Sequence, residues 1–116
     1  MRGAGLGEGR RLQVAGHEAI IEDGVAMLAD RSSFAGSVTP LDQMIRNMVN
    51  QVCLSLPEAI RLATVNPARV LGVGDRKGTI APGMDADLVV LDDELRPQLT
   101  LIAGQVVHTG EELHSA

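Results

Sequence analysis

The near absence of aromatic side chains constrains the fold of this chain more than any other feature of its sequence. Phe34 is the single aromatic residue among 116, and there is no Trp or Tyr. Any core must therefore be built from Leu, Val, Ile, Met and Ala, each of which buries less area than an aromatic residue. Because a chain of this length also buries a smaller fraction of its surface than a long one, an independent domain would have a lean core.

Charge and hydropathy exclude several classes of partner. Ten Lys and Arg against 15 Asp and Glu give a net charge of −5, so we expect no nucleic-acid partner. No apolar run approaches the roughly 20 residues of a membrane helix, and residues 1–10 are Gly-rich without the apolar stretch of a signal peptide. We therefore expect no membrane partner. The single cysteine, Cys53, cannot form an intrachain disulfide, which fits a cytoplasmic location.

Residues 11–29 contain short β-prone runs separated by turn signals. Asp23-Gly24 is the strongest of these signals, because a type I′ turn needs positive φ at both central residues. The pattern predicts three antiparallel strands here, followed by a loop over residues 30–38.

Three helices are predicted between residues 39 and 72. Cap residues followed by proline mark their starts, and apolar residues at helical spacing mark their buried faces. The predicted spans are Thr39-Pro40 to Val52, Ser55 to the residues before Pro67, and Asn66-Pro67 to a Gly72 C-cap.

Beyond residue 79 the apolar pattern again favours strands. We predict a short strand at Thr79-Ile80 and a type II turn at residues 81–84, where Pro and Gly take the central positions. The continuous apolar run Leu88–Leu91 predicts a buried strand. Residues 100–107 predict a last hairpin around Ala103-Gly104.

No residue pattern by itself completes a catalytic or metal site. None of His17, His108 and His114 pairs with another His, Cys or carboxylate at i, i+3 or i, i+4 on a predicted helix, so exposed histidines are the favoured interpretation. Asp85 and Asp87 resemble paired carboxylates, but aspartates beside a strand more often bind turn amides.

The basic pairs, the cysteine and one loop complete the set of candidates. Arg10-Arg11 and Arg76-Lys77 could hold a phosphate, with a solvated surface as the default interpretation. Cys53 follows an apolar stripe and is predicted to be a small buried hydrophobe. Residues 34–37 (FAGS) combine a large apolar side chain, a glycine and a hydroxyl group before a helix. They fit a ligand-binding loop and a connection with Phe34 in the core equally well.

Two stretches carry a family resemblance. Residues 66–72 (NPARVLG) and 77–92 (KGTIAPGMDADLVVLD) resemble the C-terminal signature of the amidohydrolase superfamily. Residues 23–47, with the runs DGVA, FAGS and LDQMIRN, resemble the N-acetylglucosamine-6-phosphate deacetylase family within it. The resemblance extends to about His108.

The resemblance implies an α/β fold, the C-terminal fragment of a metal-dependent (β/α)₈ barrel with part of the adjoining small β-sandwich. Such a barrel takes roughly 250 residues. Residues 1–38 would be a loop and short antiparallel strands after the last barrel strand, and residues 39–72 the terminal barrel helices. Residues 73–108 would be the C-terminal strands of the sandwich, and residues 109–116 a polar tail. The chain would begin just after the family's catalytic Asp.

For function, the resemblance implies hydrolysis of N-acetylglucosamine 6-phosphate to glucosamine 6-phosphate and acetate. The family uses a divalent metal of the zinc or iron type, whose Glu and His ligands lie on earlier barrel strands. We therefore expect no catalytic residue and no metal ligand in this chain, and no activity from the chain alone. The family loop that matches Phe34, Ala35 and Gly36 contacts the amino sugar, so these three residues are the candidate substrate-binding residues.

The resemblance also implies an assembly. Intact members of the family are commonly homodimers. The isolated chain is expected to self-associate, because its apolar faces and strand edges would lack their usual partners. Sedimentation of the purified chain tests this expectation, and a sharp monomer with a cooperative melt would contradict it.

Two alternatives stay open. Residues 66–92 also permit a dihydroorotase-like or deaminase-like amidohydrolase, although residues 34–37 and Arg46-Asn47 argue against it. The other alternative is a free-standing, β-rich binding module without catalysis.

Overall fold

The computed structural model describes residues 3–110, which form a mixed α/β chain with two antiparallel sheets. The chain divides into two compact units, the first ending at Gln43 and the second beginning at Met44. In chain order, the described residues form four strands, three helices and three further strands.

The first unit contains a four-stranded sheet in the order β1-β2-β3-β4. The predicted turn at Asp23-Gly24 is confirmed, since both residues have positive φ, 52° and 73°. The predicted loop over residues 30–38 is partly wrong, because three of its residues pair with β3 as a fourth strand. The strands are β1 (Arg11–Val14), β2 (His17–Glu22), β3 (Val25–Leu28) and β4 (Phe34–Gly36).

The core of the first unit lies on one face of this sheet. Ala19, Ile21 and Ala26 are each no more than 1% exposed, and Ile21 is directly paired with Ala26 across β2 and β3. The backbone of Ile21 is also held by the preceding segment, because its N–H donates to the Arg10 carbonyl and its carbonyl accepts from the Gly9 N–H. One large side chain therefore fills a core otherwise lined by alanines.

Three helices follow, α1 (Leu41–Asn50), α2 (Leu56–Ala63) and α3 (Val65–Val70). The start of α2 is as predicted, with the Glu58 carboxylate accepting from both the N–H and the hydroxyl of Ser55, at 3.0 and 2.6 Å. The hydrogen bonds to Glu58 stabilise the first turn and lower the pKa of its carboxyl. Within residues 3–110, no helix has both the length and the apolar character needed to span a membrane.

The first helix is shorter than predicted. It begins after Pro40 and ends at Asn50, before the predicted end at Val52. Cys53 takes a left-handed conformation with φ of 61°, and the Leu54 N–H returns to the Met48 carbonyl. The prediction of a buried Cys53 is wrong, because this turn leaves the residue exposed.

The second unit ends in a three-stranded antiparallel sheet of β5 (Leu88–Leu91), β6 (Pro97–Ile102) and β7 (Gln105–Thr109). The predicted hairpin is confirmed, with Ile102 opposite Gln105 and positive φ at both Ala103 and Gly104.

Two predictions for this region are wrong. Residues 79 and 80 form no strand, and Ile80 is 88% exposed. The predicted buried strand Leu88–Leu91 forms, but Val89 and Val90 remain about half exposed, at 54% and 49%. A continuous apolar run suits a strand covered on both faces, and nothing within residues 44–110 covers this one fully.

Candidate functional site

The candidate substrate segment Phe34–Gly36 forms the edge strand β4 of the first unit. Phe34 lies opposite Met27 and Gly36 opposite Ala26, so Ala35 is the extra residue of a bulge. Because paired residues share a face, Phe34 lies on the face opposite the one that buries Ala26. Phe34 is 74% exposed, which rejects the alternative that places it in the core of the described residues.

A short turn before β4 fixes where the strand begins. The Ala29 N–H donates to the Glu18 carbonyl of β2 at 2.9 Å, and the Leu28 N–H donates to the Ser33 carbonyl at 3.0 Å. Within the turn, the Asp30 carboxylate accepts from the N–H and hydroxyl of Ser32, and these bonds lower the pKa of Asp30. The strand is thus connected to its neighbours on its N-terminal side.

The segment after β4 is held as well. The Ser37 hydroxyl accepts from the Thr39 N–H at 3.1 Å, and the Val38 carbonyl accepts from the Gly5 N–H at 3.1 Å. Both ends of β4 are therefore fixed by hydrogen bonds, while the Phe34 ring between them stays accessible. A rigid backbone that presents an exposed apolar side chain can contact a ligand with little ordering cost.

The paired aspartates of the second unit form a structural clasp, which we define as Arg76, Lys77, Asp85 and Asp87. The Lys77 ammonium lies 2.8 Å from Asp85 Oδ2 and also binds Asp87, while Arg76 binds Asp85 at 2.7 Å. Asp87 Oδ1 accepts from the Ala103 N–H at 2.8 Å. The interpretation as a turn-binding group is confirmed for Asp87, while the Asp85 carboxylate pairs with the side chains of Arg76 and Lys77. Arg76-Lys77 therefore binds carboxylates of the chain itself.

The clasp makes stability depend on pH in a defined direction. Hydrogen bonds from Lys77 and then Arg76 lower the pKa of Asp85, and those from Lys77 and then the Ala103 N–H lower that of Asp87. Each carboxylate thus stabilises the fold above its unfolded pKa of about 4, and this contribution is lost as the pH falls through the lower folded pKa. Asp85 and then Asp87 raise the pKa of Lys77, so its contribution is lost only in strong alkali.

We therefore expect Asp87→Asn to flatten the acid limb of the stability profile below about pH 4, where the folded carboxylate would otherwise take up a proton. Urea unfolding followed by circular dichroism between pH 3 and pH 7 measures this effect. Asp93→Asn, a neighbouring aspartate outside the clasp, is the control. Identical acid limbs for the wild type and Asp87→Asn would contradict the assignment.

Asp92 organises the turn between β5 and β6. Asp92 Oδ1 accepts from the N–H groups of Glu94 and Arg96, and Oδ2 accepts from the Gln98 side chain. The hydrogen bond from the Arg96 N–H is the main cause of the lowered pKa of Asp92. The turn also contacts α1, since Arg46 donates to the Leu95 carbonyl at 2.9 Å. These contacts give the Asp92 carboxylate a structural role in the turn.

The remaining candidates do not converge on a site. His17 begins β2 and His108 lies in β7, both exposed as predicted, and His114 lies outside the described residues. Arg11 pairs with Glu18 at 2.8 Å. Within residues 3–110, no group of three or more His, Cys, Asp or Glu side chains could hold a metal ion.

Comparisons with known proteins decide the family. The Amidohydrolase family model matches residues 10–109. The chain belongs to the amidohydrolase family. The N-acetylglucosamine-6-phosphate deacetylase of Bos taurus is 38% identical over 109 residues, which are 93% of this chain and 26% of that relative. The putative N-acetylgalactosamine-6-phosphate deacetylase of Escherichia coli K12 is also 38% identical, over 91% of this chain and 62% of its own length.

Solved structures give the same result for this amidohydrolase. The N-acetylglucosamine-6-phosphate deacetylase of Thermotoga maritima matches with a TM-score of 0.80 and 33% identity, covering 92% of this chain and 29% of that one. The D267A variant of the N-acetyl-D-glucosamine-6-phosphate deacetylase of Mycobacterium smegmatis, in complex with N-acetyl-D-glucosamine-6-phosphate, matches with a TM-score of 0.78 and 34% identity. The predicted family resemblance is thus confirmed. The chain spans about a quarter of the length of the first relatives it matches.

Proposed function

We propose that this chain is the substrate-contacting, C-terminal part of an amino-sugar-phosphate deacetylase. The supporting observation is the 38% identity to N-acetylglucosamine-6-phosphate deacetylases over 93% of the chain. In the proposed reaction, water hydrolyses the acetamide of N-acetylglucosamine 6-phosphate to glucosamine 6-phosphate and acetate. The family match also fits a dihydroorotase-like or deaminase-like enzyme, but the relatives favour the deacetylase.

Within this function, Phe34, Ala35 and Gly36 are assigned to bind the amino sugar. Phe34 offers an exposed apolar surface, and Gly36 lets a ligand approach the β4 backbone without meeting a side chain. Hydrogen bonds on both sides of the strand hold this surface in place. These residues bind and orient the substrate.

A divalent metal of the zinc or iron type belongs to the proposed whole enzyme, but it does not fit the described part of this chain. Residues 3–110 bring together no set of three metal-ligating side chains. The carboxylates of Asp85 and Asp87 are engaged by Lys77 and Arg76. We therefore assign no metal ligand and no proton-transferring group to these residues.

The finer architecture is part of the same proposal. Residues 1–38 would follow the last strand of a (β/α)₈ barrel, residues 39–72 would be its terminal helices, and residues 73–108 would belong to the adjoining β-sandwich, with a polar tail over 109–116. The half-exposed valines of β5 and the exposed Val70 and Ile80 support this placement, since such apolar surfaces suit further packing partners. The whole enzyme would be a cytoplasmic homodimer.

A chimera tests the proposed function. Residues 10–109 of this chain replace the matching segment of the Thermotoga maritima deacetylase, and acetate release from N-acetylglucosamine 6-phosphate is measured. We expect the chimera to be active and the 116-residue chain alone to be inactive. A chimera that folds, by circular dichroism and gel filtration, yet releases no acetate would contradict the proposal, as would activity of the chain alone.

A further inference from the structure

We infer that the Glu22–Arg31 ion pair is a positioning device that sets the conformation of the candidate substrate strand Phe34–Gly36. The inference rests on the proposed function for its catalytic consequence. Arg31 donates to Glu22 through two nitrogens, Nε to Oε2 at 3.1 Å and Nη2 to Oε1 at 2.8 Å. Such two-point contacts fix the orientation of a guanidinium as well as its distance.

The backbone of Arg31 is in an unfavourable conformation. Its φ is 56°, in the left-handed region that residues with a Cβ rarely occupy. This conformation persists where surrounding contacts determine it. At this position the Arg31 N–H donates to the Leu28 carbonyl at 2.8 Å, and the side chain is held by Glu22. Both contacts hold the turn that leads into β4.

The two partners lie at the two ends of the segment 22–31, which leads into β4 and so determines where Phe34 lies. Glu22 is the last residue of β2, and Arg31 lies in the turn between β3 and β4. The register places Ile20, Met27 and Phe34 on one face, and Glu22 shares it because strand side chains alternate. The Glu22–Arg31 pair thus connects the turn to the sheet face on which the Phe34 ring lies.

The contact favours the charged form of each partner. Arg31 lowers the pKa of Glu22, and Glu22 raises the pKa of Arg31. The Arg11–Glu18 pair offers a matched comparison in the same sheet, since it joins β1 to β2 by a single contact and lies outside the turn. Both pairs are solvent-exposed, with arginine side chains 67% and 66% exposed.

The first test is amide hydrogen exchange on the 116-residue chain. We expect Glu22→Gln to speed exchange in a peptide covering residues 28–37 about threefold to fivefold, as loss of one exposed ion pair allows. Glu18→Gln should leave that peptide unchanged. The charge exchange Glu22→Arg with Arg31→Glu should restore slow exchange. Equal exchange in wild type and Glu22→Gln would overturn the inference, as would an equal effect of Glu18→Gln.

The second test is kinetic and uses the chimera defined above. Glu22→Gln should raise KM about threefold to fivefold while kcat stays within about twofold, and the charge exchange should restore KM. Unchanged KM in an active chimera would overturn the positioning role. An inactive but folded chimera would contradict the proposed function alone, because hydrogen exchange still decides whether the pair fixes the turn.

Discussion

Replacing Ile21 with alanine is expected to destabilise the four-stranded sheet of the first unit by about 3 kcal/mol, within the range for Ile→Ala in a core. Ile21 is 1% exposed and is the one large side chain fully buried among the described residues. Its neighbours in the core, Ala19 and Ala26, are too small to fill the space that it would leave. The loss is a large part of the stability of a small unit.

Urea unfolding measured by far-ultraviolet circular dichroism checks this prediction, because the chain has no Trp or Tyr to report by fluorescence. Ile80→Ala is the matched control, since the same side chain is 88% exposed there and its removal should cost less than about 0.5 kcal/mol. Equal shifts of the two variants would mean that the core of the first unit lies elsewhere.

Turn chemistry was the part of the fold that could be predicted from sequence. The turns at Asp23-Gly24 and Ala103-Gly104 have positive φ at both residues, and each joins the two strands expected around it. The start of α2 followed equally from Ser55 as a cap residue with Pro57 in the first turn. In each case a local geometric requirement selects a residue type, so a short window of sequence contains the signal.

The wrong predictions depended on contacts that a local pattern does not contain. β4 has three residues, one of them a glycine, and exists because β3 pairs with it. Cys53 follows an apolar stripe yet is exposed, because the chain turns at that residue. The clasp joins Lys77 to aspartates eight and ten residues away in sequence, and through Asp87 it reaches the Ala103 amide. The charged residues of the clasp are evident in the sequence, but their pairing is not.

The candidate site, like the fold, could be predicted only in part from the sequence. The resemblance pointed to Phe34, Ala35 and Gly36, and the structure adds that Phe34 is exposed on a strand fixed at both ends. Glu22 and Arg31 were missed, because their spacing matches no helical or strand neighbour rule. The signal that the sequence offered for Arg31 was its place in the predicted loop after β3, since residues with positive φ are concentrated in loops and turns.

In the chimera, Phe34→Ala is expected to lower kcat/KM for N-acetylglucosamine 6-phosphate by about tenfold to a hundredfold, the range for losing an apolar contact with substrate. The loss should appear mainly in KM, because an apolar surface that binds substrate and transition state alike contributes uniform binding. Phe34→Leu retains apolar bulk and should recover most of the loss.

The free energy of unfolding distinguishes a loss of substrate binding from a loss of folding. Since Phe34 is 74% exposed, its truncation should change the free energy of unfolding by less than about 0.5 kcal/mol, against about 3 kcal/mol for Ile21→Ala. Steady-state kinetics and urea unfolding of the same preparations measure both quantities. If Phe34→Ala left kcat/KM unchanged in an active chimera, the amino sugar would bind without this ring, and the assignment of β4 as the substrate strand would be wrong.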